Sequence, residues 1–459
     1  MRFIHLRKKS ILRYVPVLIV LISTVAASAQ APEPITLSKA VAIALEKNPM
    51  RKAALAENKA ARQMPKLAFS AFLPRIQFSE TAMRSNDPVF VFGAKLRQQV
   101  FAEPDFAIDS LNRPTPYTDI SSRFAGQWSL FDTQNWFGYS RAKLMTEASA
   151  NQLERNDQEV MFRVVQAYYG VLLAQRQLEI AERAVSTAEA IEQTSRNRVE
   201  SGVAVDSDLL SAQVQTASRK QERIKAQGNV SLAQAAFALA MGLPADTKFQ
   251  FSDAPIELGL LPSPNELEAK AMTARPDLKR VKTEQLAQDK SVSMAKYAFA
   301  PRLNALAQWQ TDGRSLGWGN AGNNWTAGVE LQFELFTGGA KLARLSQEKA
   351  NLERATAMKQ AFEDNVRLEV RRAYYDADAA RQQVDVAKAA IAQADESLRI
   401  QKNRYESGLT TVTDLLRVED AAHQAQTNYW SAVYGAATSY AALELATGTL
   451  NQNSPVVKP

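Results

Sequence analysis

Residues 404–419 read RYESGLTTVTDLLRVE, and residues 198–213 read RVESGVAVDSDLLSAQ, 206 positions earlier in the chain. The two stretches share seven of sixteen residues, in the frame R-x-E-S-G-x5-D-L-L. A Ser-Gly pair is typical of a helix C-terminus, because glycine readily adopts the left-handed conformation that follows the last turn. Aspartate is favoured in the first turn of the helix that comes next. Each stretch therefore predicts a tight turn between two helices.

The repeated turn belongs to a longer internal duplication. Other motifs recur in the same order: NP at 48–49 with RP at 275–276, LPR at 73–75 with APR at 300–302, LF at 130–131 with LF at 335–336, AYYG at 167–170 with AYYD at 373–376, and MGL at 241–243 with TGT at 447–449. The spacing of the pairs falls from 227 to 205 between the second and third motifs, so the first half carries about 22 extra residues in the loop-like segment 85–120. We predict two structural repeats, 30–254 and 255–450, and a flexible tail at 451–459.

Proline is absent from residues 117–243 and 302–454, which are rich in Ala, Gln, Glu, Arg and Leu and therefore favour long helices. Apolar residues recur every seven positions in both halves, as in coiled coils, at Val164, Tyr168, Val171, Leu178 and Val185 and at Val370, Tyr374, Ala377, Val384 and Ile391. The predicted helices are 36–72 (imperfect at Pro49 and Pro65), 132–201, 207–242 (capped by Ser207 or Asp208), 262–299, 338–407 and 413–446. Such rods have no compact core of their own, so they need lateral partners.

Between the helices the apolar period changes from seven to two. Residues 74–84, 121–131, 301–311 and 324–336 alternate apolar and polar side chains over about ten residues each. That length and pattern are typical of transmembrane β-strands, although a strand pair in a soluble β-domain alternates in the same way. Four strands cannot close a barrel, for which roughly eight are needed. Either the strands form a small soluble sheet, or several chains pool them.

The first 29 residues have the pattern of a secretory signal peptide, with a basic segment, a short apolar run and the cleavage-site sequence ASA at 27–29. A single N-terminal transmembrane helix is the alternative. Without these residues the chain has 50 Lys+Arg and 48 Asp+Glu, a net charge of +2, which gives no support to nucleic-acid binding. The lack of cysteine excludes disulfides and a lipidated N-terminal cysteine. No later stretch reaches about eighteen consecutive apolar residues, so a membrane would have to be crossed by strands.

Together these features resemble the TolC-type outer-membrane efflux proteins. The resemblance covers the mature chain and rests on the duplicated helix–strand–strand–helix plan, the LPR and APR motifs that enter the strands, the LF motifs that leave them, the twin turns, and ALELATGTL at 442–450. It implies an α+β membrane protein, a homotrimer in which each copy contributes four transmembrane strands to a shared 12-stranded barrel in outer-membrane lipid, continued by a long helical tunnel in the periplasm. It also implies a periplasmic adaptor and an inner-membrane transporter as partners, in an efflux pump or a type I secretion system of a Gram-negative bacterium.

The same resemblance places the twin turns around the periplasmic mouth of the tunnel. Asp414 takes the position of an acidic residue that lines the entrance constriction, and Tyr405 and Asp208 take positions where side chains bond neighbouring hairpins and hold the mouth shut. Thr410 and Arg417 depart from the family, which has an arginine and a second acid there in some members, so Arg417 can pair with Asp414 instead. Simpler roles stay open, because the helix dipole favours aspartate in a first turn and Tyr405 can serve packing alone.

Two other classes of protein compete with a channel. An enzyme is disfavoured because the only histidines are His5 and His423, the latter predicted at the surface of a helix, and no cofactor or metal site is indicated. The glycine-rich stretch 317–324 links two strands, which makes it a hairpin loop rather than a phosphate-binding loop. A soluble periplasmic coiled-coil adaptor or structural protein shares the export signal and the helical hairpins, but does not require the alternating strands. The transported substrate (drug, metal cation, peptide or protein) is not determined by these residues.

Overall fold

The computed structural model describes residues 34–252, 259–315 and 322–458. The predicted signal peptide, residues 1–29, and the predicted boundary between the repeats, at 254–255, lie outside the described residues. The helices and strands are α1 (Leu37–Lys47), α2 (Pro49–Ala61), α3 (Met64–Phe69), β1 (Arg75–Ser85), α4 (Pro88–Arg97), α5 (Ile108–Asn112), β2 (Tyr117–Phe131), α6 (Thr133–Glu200), α7 (Asp206–Ala240), α8 (Pro264–Ala274), α9 (Pro276–Tyr297), β3 (Arg302–Gly313), β4 (Gly322–Gln332), α10 (Ala340–Glu406) and α11 (Val412–Thr447).

The two longest helices, α6 and α10, have 68 and 67 residues, and each follows the second strand of its repeat. At 1.5 Å per residue each is about 100 Å long. A short turn joins each of them to a helix of about half its length, α7 with 35 residues or α11 with 36. Among the described residues, no helix combines the length with the apolar composition needed to cross a membrane.

Short and long helices alternate across a single layer. At the end that carries the turns, α6 lies between α7 and α11, and α11 separates α6 from α10. At the end near the strands, α6 lies between the short helices α1–α3 and α9, and α9 separates α6 from α10. Within the described residues, α10 and the short helices α1–α3 and α7 therefore form the two edges of the layer.

The four strands form one antiparallel sheet in the order β1-β2-β3-β4. One face carries apolar side chains: Phe78 lies opposite Phe124, which lies opposite Trp309, with ring centroids 5.0 and 6.2 Å apart. The other face is polar, and there the Arg123 guanidinium donates to the Gln310 amide oxygen at 2.9 Å. The sheet has unpaired edges at β1 and β4, because the order is open within the described chain.

The predicted helix 36–72 is broken into α1, α2 and α3, and the predicted helix 262–299 into α8 and α9. Proline causes the breaks because it has no N–H and its ring disfavours a helical residue before it. Pro49 and Pro276 each become the first residue of a new helix. Asn48 caps α2 with its side-chain oxygen, which accepts from the Met50 N–H at 2.9 Å.

The residues before these two prolines also explain why the MGL and TGT motifs recur. The Asn48 side chain donates to the Ala240 carbonyl at 2.8 Å, and the Arg275 guanidinium donates to the Ala446 carbonyl at 3.2 Å, so each satisfies the C-terminus of a hairpin helix. The glycine that follows has φ +76° at Gly242 and +71° at Gly448. A Cβ atom at Gly242 would lie 2.6 Å from the Asn48 Cα, and at Gly448 it would lie 2.7 Å from the Arg275 Cα.

The C-terminal segment 451–459 is predicted as a flexible tail. The part of it that the structure describes, residues 451–458, is instead packed against the rest of the chain. Val456 and Val457 are both 0% exposed and belong to the main hydrophobic cluster, with Tyr169 and Leu450. The Tyr169 hydroxyl donates to the Val456 carbonyl at 3.4 Å. The apolar pair is buried because the tail turns back onto α6, which sequence periodicity does not reveal.

The enlarged segment 85–120, predicted as loop-like, contains structure as well. It includes α4, a 3-10 helix at Glu103–Phe106, α5, and the first residues of β2, which begins at Tyr117 rather than at residue 121. Val91 and Ala94 of α4 pack with Tyr117 in a small separate cluster. The insertion is therefore an ordered appendage of the sheet.

The two close approaches of glycine predict a specific loss of stability. Gly242→Ala and Gly448→Ala should each lower the free energy of unfolding by about 2–4 kcal/mol, because alanine strains the left-handed backbone and its methyl group collides with the neighbouring chain. Gly435→Ala is the matched control, since nothing lies within 4 Å of its added Cβ and its residue is helical. Thermal unfolding followed by circular dichroism at 222 nm checks this, and equal midpoints for all three variants would contradict it.

Candidate functional site at the helical turns

The two predicted turns have the same backbone geometry. Gly202 has φ +71° and Gly408 has φ +75°. In each turn the N–H after the glycine donates to the carbonyl four residues before the glycine, at 2.9 and 2.8 Å, and the serine hydroxyl donates to the carbonyl four residues before the serine, at 2.7 and 2.9 Å. This is the Schellman arrangement, which ends a helix sharply and reverses the chain. The shared Ser-Gly sequence therefore serves the same turn twice.

The helices that follow the two turns begin differently. The N-cap residue of α11 is Thr411, whose hydroxyl accepts from the Asp414 N–H at 3.2 Å. The N-cap residue of α7 is Val205, which has no side-chain acceptor, so the predicted capping by Ser207 or Asp208 is wrong. Asp208 instead lies in the first turn of α7 with a half-buried side chain, where its N–H donates to the Val205 carbonyl at 2.9 Å.

Tyr405 joins the second hairpin to the first. Its side chain is 3% exposed and lies in a cluster with Ile191 and Val412. Its hydroxyl is 2.7 Å from the Ser195 hydroxyl of α6, and either atom can donate. The Arg198 guanidinium lies over the Tyr405 ring at 5.0 Å and donates to its carbonyl at 2.7 Å. The tyrosine is thus held at its ring, hydroxyl and backbone by residues of the other hairpin.

Asp414 and Arg417 lie together on the exposed side of the second turn. The Arg417 guanidinium donates to one Asp414 carboxylate oxygen at 3.2 Å, and the hydroxyls of Thr410 and Thr411 donate to the other at 3.3 and 3.0 Å. Thr410 in turn accepts from the Gln401 amide at 2.8 Å. The pairing of Arg417 with Asp414, one of the two alternatives from the sequence, is therefore present within one chain.

A second cluster joins the hairpins farther from the turns. Arg219 of α7 is 5% exposed and donates to the Glu419 carboxylate of α11 at 2.7 Å, to Asp420, and to Glu222 at 2.8 Å. Glu419 is buried as well, and Gln215 donates to Asp420 at 2.7 Å. A buried ion pair of this kind is costly to break, because removing one partner leaves the other charge without compensation.

Sequence analysis did not identify this cluster, although a signal exists. The buried residues of α7 include Ala212, Thr216, Arg219 and Ala226, and those of α11 include Val412, Leu415, Glu419 and Ala422. In both helices the spacing is that of a coiled-coil seam, so Arg219 and Glu419 occupy positions where apolar residues are the rule. A charge of opposite sign at one seam position in each helix predicts an interhelical pair. Ser195 carried no comparable signal, whereas Arg198 is one of the seven residues that the two turns share.

The protonation of the cluster follows from its burial. Burial opposes the charge on Arg219, but the hydrogen bonds that it donates to Glu419 and Glu222 outweigh that effect and raise the pKa of the guanidinium. His423, predicted at the surface, is half-buried beside the cluster. Burial lowers the pKa of its imidazole below the ordinary 6.5, and the nearby positive charge of Arg219 lowers it further. His423 is thus kept neutral next to a fully charged arginine.

A family model described as outer membrane efflux protein matches residues 40–243 and 268–449, which include both turns. The chain belongs to this family. Its relatives include the alkaline protease secretion protein AprF of Pseudomonas aeruginosa, 26% identical over 426 residues that cover 89% of this chain and 84% of AprF. The proteases secretion protein PrtF of Dickeya chrysanthemi is 22% identical over 97% of this chain and 94% of PrtF.

Among solved structures, the Campylobacter jejuni CmeC outer membrane channel has the same fold, with a TM-score of 0.75 over 92% of this chain and 88% of that chain, at 19% identity. The fold class and the family predicted from the sequence are confirmed by these similarities. As a member of the outer membrane efflux family, the protein is an outer-membrane channel component of the kind that serves efflux and secretion.

The geometry of Tyr405 predicts the effect of removing its hydroxyl. Tyr405→Phe keeps the ring under Arg198 but loses the bond to Ser195, about 1 kcal/mol, or roughly a fivefold shift per chain towards separated hairpins. Ser195→Ala should have the same effect, and the double variant should exceed neither single variant. The resting conductance of the purified protein in planar bilayers measures the shift, with Asp364→Asn, an exposed change on α10, as the control. Additive effects of the two single variants would contradict a shared bond.

The burial of His423 predicts a dependence of stability on pH. Because its folded pKa lies below its unfolded pKa, the unfolded chain binds the proton first as the pH falls, and stability is lost below about pH 6.5. Above that pH the stabilising effect of the neutral imidazole is fully present. The unsubstituted protein should therefore lose thermal stability between pH 7 and pH 5, and His423→Gln should lose less over the same range. Identical pH profiles would exclude His423 as the titrating group.

Proposed function

We propose that three copies of this chain assemble into one continuous tube that carries substrate through the outer membrane, from a periplasmic adaptor and an inner-membrane transporter to the exterior. The observation that carries the proposal is the open layer: each copy ends on both sides in edges that are suited to another copy. Identical subunits that join by two different edges form a closed ring when the rotation between them closes. The family resemblance supports a three-fold ring, with the strands in the outer membrane and the helices in the periplasm.

The sheet supports this assembly because its edge strands β1 and β4 are unpaired and one face is apolar. The exposed apolar side chains Trp325, Val329 and Leu331 of β4 all lie on that face. Three sheets of four strands give twelve, which exceeds the roughly eight strands needed to close a transmembrane barrel. In the closed barrel the apolar face contacts lipid, and the polar face with Arg123 and Gln310 lines the interior.

The helical layer supports the same assembly. Its edges expose large apolar side chains, namely Leu210, Val214, Ile224, Leu232 and Leu239 at helical spacing on α7 and Leu342, Leu368 and Ile400 on α10. A helix of about 100 Å that leaves such a stripe in water is unfavourable, since each large apolar side chain gains about 1.5–3 kcal/mol on burial. Packing α10 of one copy against α7 and the short helices of the next buries both stripes.

The mouth of the tube is formed by the turns, two from each copy. Tyr405, Asp208, Asp414 and Arg417 are the proposed gate residues, and Ser195 and Arg198 join them because they hold Tyr405. In the closed state the hairpins of one chain are tied by the Tyr405 contacts and by the buried pair of Arg219 with Glu419. Opening separates the hairpins at these two points, a two-state rearrangement that the transporter and adaptor bias.

The adaptor has a groove available on each copy. It lies between α10 and α11, has a volume of about 970 Å³, and is lined by small residues such as Ala387, Ala390, Ala421 and Ala425 with Gln383 and Gln424. Small residues let another helix approach closely. An amphipathic helix of the adaptor makes more contacts in such a groove than it would on a flat surface.

The substrate class is an exported protein. AprF and PrtF, which are named for protease secretion, align with 89% and 97% of this chain. Crosslinking in intact cells, followed by purification of this protein, should therefore recover an ATP-driven export transporter. Recovery of a proton-driven drug transporter instead would reassign the substrate to small molecules and leave the channel role in place.

The channel role itself is tested in planar bilayers. The purified protein should form pores whose preference between cations and anions depends on Asp414, because charged side chains at a narrow mouth attract ions of the opposite sign. Asp414→Asn should reduce the preference for cations severalfold and weaken block by multivalent cations, whereas Asp364→Asn, an exposed change on α10, should have no effect. No pore, together with release of the protein by detergent-free cell fractionation, would favour the soluble coiled-coil alternative. Pores with unchanged selectivity in Asp414→Asn would remove Asp414 from the mouth.

A further inference from the structure

The inserted segment between β1 and β2 is folded over one face of the sheet. The Gln98 side-chain amide donates to the Asp119 carboxylate at 2.7 Å and to the Gly313 carbonyl at 3.2 Å. The Tyr117 hydroxyl donates to the Gln98 side-chain oxygen at 2.8 Å. Gln98 and Asp119 are both buried. The end of α4 is therefore anchored to β2 and β3 through a buried polar network.

The register of the strands identifies the face that α4 covers. Asp119 and Tyr117 share the face of Arg123, because their positions differ by even numbers along β2. Asp312 pairs with Ser121 and lies on that face too, and Arg97 of α4 is 3.8 Å from its carboxylate. This is the polar face, which the proposed barrel turns towards its interior. α4 thus lies inside the tube, at the end of the strands that is remote from the long helices.

The attachment is close and repeated. A Cβ atom at Gly322, the first residue of β4, would lie 2.9 Å from the Arg97 carbonyl, so only glycine allows this approach. The Asn324 side chain donates to the Arg97 carbonyl at 3.2 Å. Lys95 forms an ion pair with Asp105 in the segment that returns from α4, at 2.5 Å. The insertion is held in place by contacts with three of the four strands and with itself.

The outer surface of α4 is apolar. Val91 and Ala94 face the sheet, and the positions on the opposite side of the helix are Val89, Phe92 and Leu96. These three are 80%, 38% and 49% exposed. Further along the segment Val100, Phe106 and Ile108 are also exposed. In a soluble loop on the outside of a cell such a surface would face water, whereas inside the tube it faces the axis.

We propose that the three copies of α4 meet at the axis of the assembled tube and form an apolar constriction at its outer end. The inference rests on the proposed trimer. Twelve strands about 4.8 Å apart and tilted by about 40° enclose a backbone cylinder about 24 Å across. The radius of this cylinder is about 12 Å, so a helix about 10 Å wide on its inner wall reaches close to the axis. The insertions therefore fill the outer mouth, and the occupant of each exposed α4 surface is the same surface of the other two copies.

The constriction has a chemical consequence for transport. A narrow passage lined by valine, phenylalanine and leucine restricts the flow of water and hydrated ions, as hydrophobic gates do. Passage of substrate requires the α4 surfaces to separate, so the tube has a closure at each end. The second repeat does not duplicate this device, because only eight residues connect Gly313 to Gly322. One insertion per copy gives three around the axis.

The absence of cysteine makes a crosslinking test direct. Val89→Cys, Phe92→Cys and Leu96→Cys, each in the purified assembly, are treated with a short bifunctional maleimide and run on a denaturing gel. At least one should give a covalent dimer, since three thiols at the axis leave one unpaired. Val329→Cys, on the lipid-facing side of β4, is the matched control and should stay monomeric. No dimer from any of the three variants, in assemblies of normal size, would overturn the proposal.

A conductance experiment gives an independent readout. In a Tyr405→Phe background, which loosens the other end of the tube, Leu96→Asp should wet the constriction and raise the single-channel conductance at least twofold, while Leu96→Ile should leave it unchanged. Equal conductance for the Tyr405→Phe background and its Leu96→Asp and Leu96→Ile variants would overturn the proposed constriction and leave the channel itself intact. If the parent protein forms neither oligomers nor pores, the proposed function fails and the constriction fails with it, so the two failures are distinguishable.

Discussion

The architecture depends on one constraint: a layer one helix deep cannot cover its own edges. α6 and α10 occupy equivalent places in the two repeats and have almost the same length, yet α6 has eighteen buried residues and α10, described throughout, has five. The difference lies in the number of neighbours, because α6 has a helix on both sides and α10 on one. The AYYG and AYYD motifs make the comparison residue by residue, since Tyr169 is buried and its counterpart Tyr375 is exposed. A further copy beside α10 supplies the missing neighbour.

The sequence predicts those parts of the fold that depend on local chemistry. Long proline-free stretches, the Ser-Gly turns and the alternating strands identify the hairpins and the sheet, because helix propensity, the left-handed glycine and side-chain alternation act within a few residues. Asp414 and Arg417 were named from the family resemblance, and their spacing of three residues on one helix predicts that they can pair. Proline chemistry predicts the interruption of 36–72, and it could also have predicted the break in 262–299, where the residue before Pro276 caps a new helix.

Contacts between distant segments were beyond sequence patterns. The tail is buried because Val456 and Val457 meet α6, and the insertion is ordered because Gln98 reaches β2 and β3; neither partner is near in sequence. Serine and arginine are residue types that are common at protein surfaces. Ser195 and Arg198 contact Tyr405 only because the second hairpin packs against the first. The recurring motifs also reflect a contact between distant segments. NP pairs with MGL, and RP pairs with TGT, because Asn48 and Arg275 each cap the C-terminus of the helix that ends at the paired glycine.

The central claim is that one chain is incomplete and that three copies close the layer. Native mass spectrometry of the protein released from detergent micelles tests it most directly, because it counts the chains without relying on conductance or on crosslinking. The account predicts a single dominant species with the mass of three mature chains. A stable monomer of this 50.7 kDa sequence or its processed form, soluble without detergent, would contradict it.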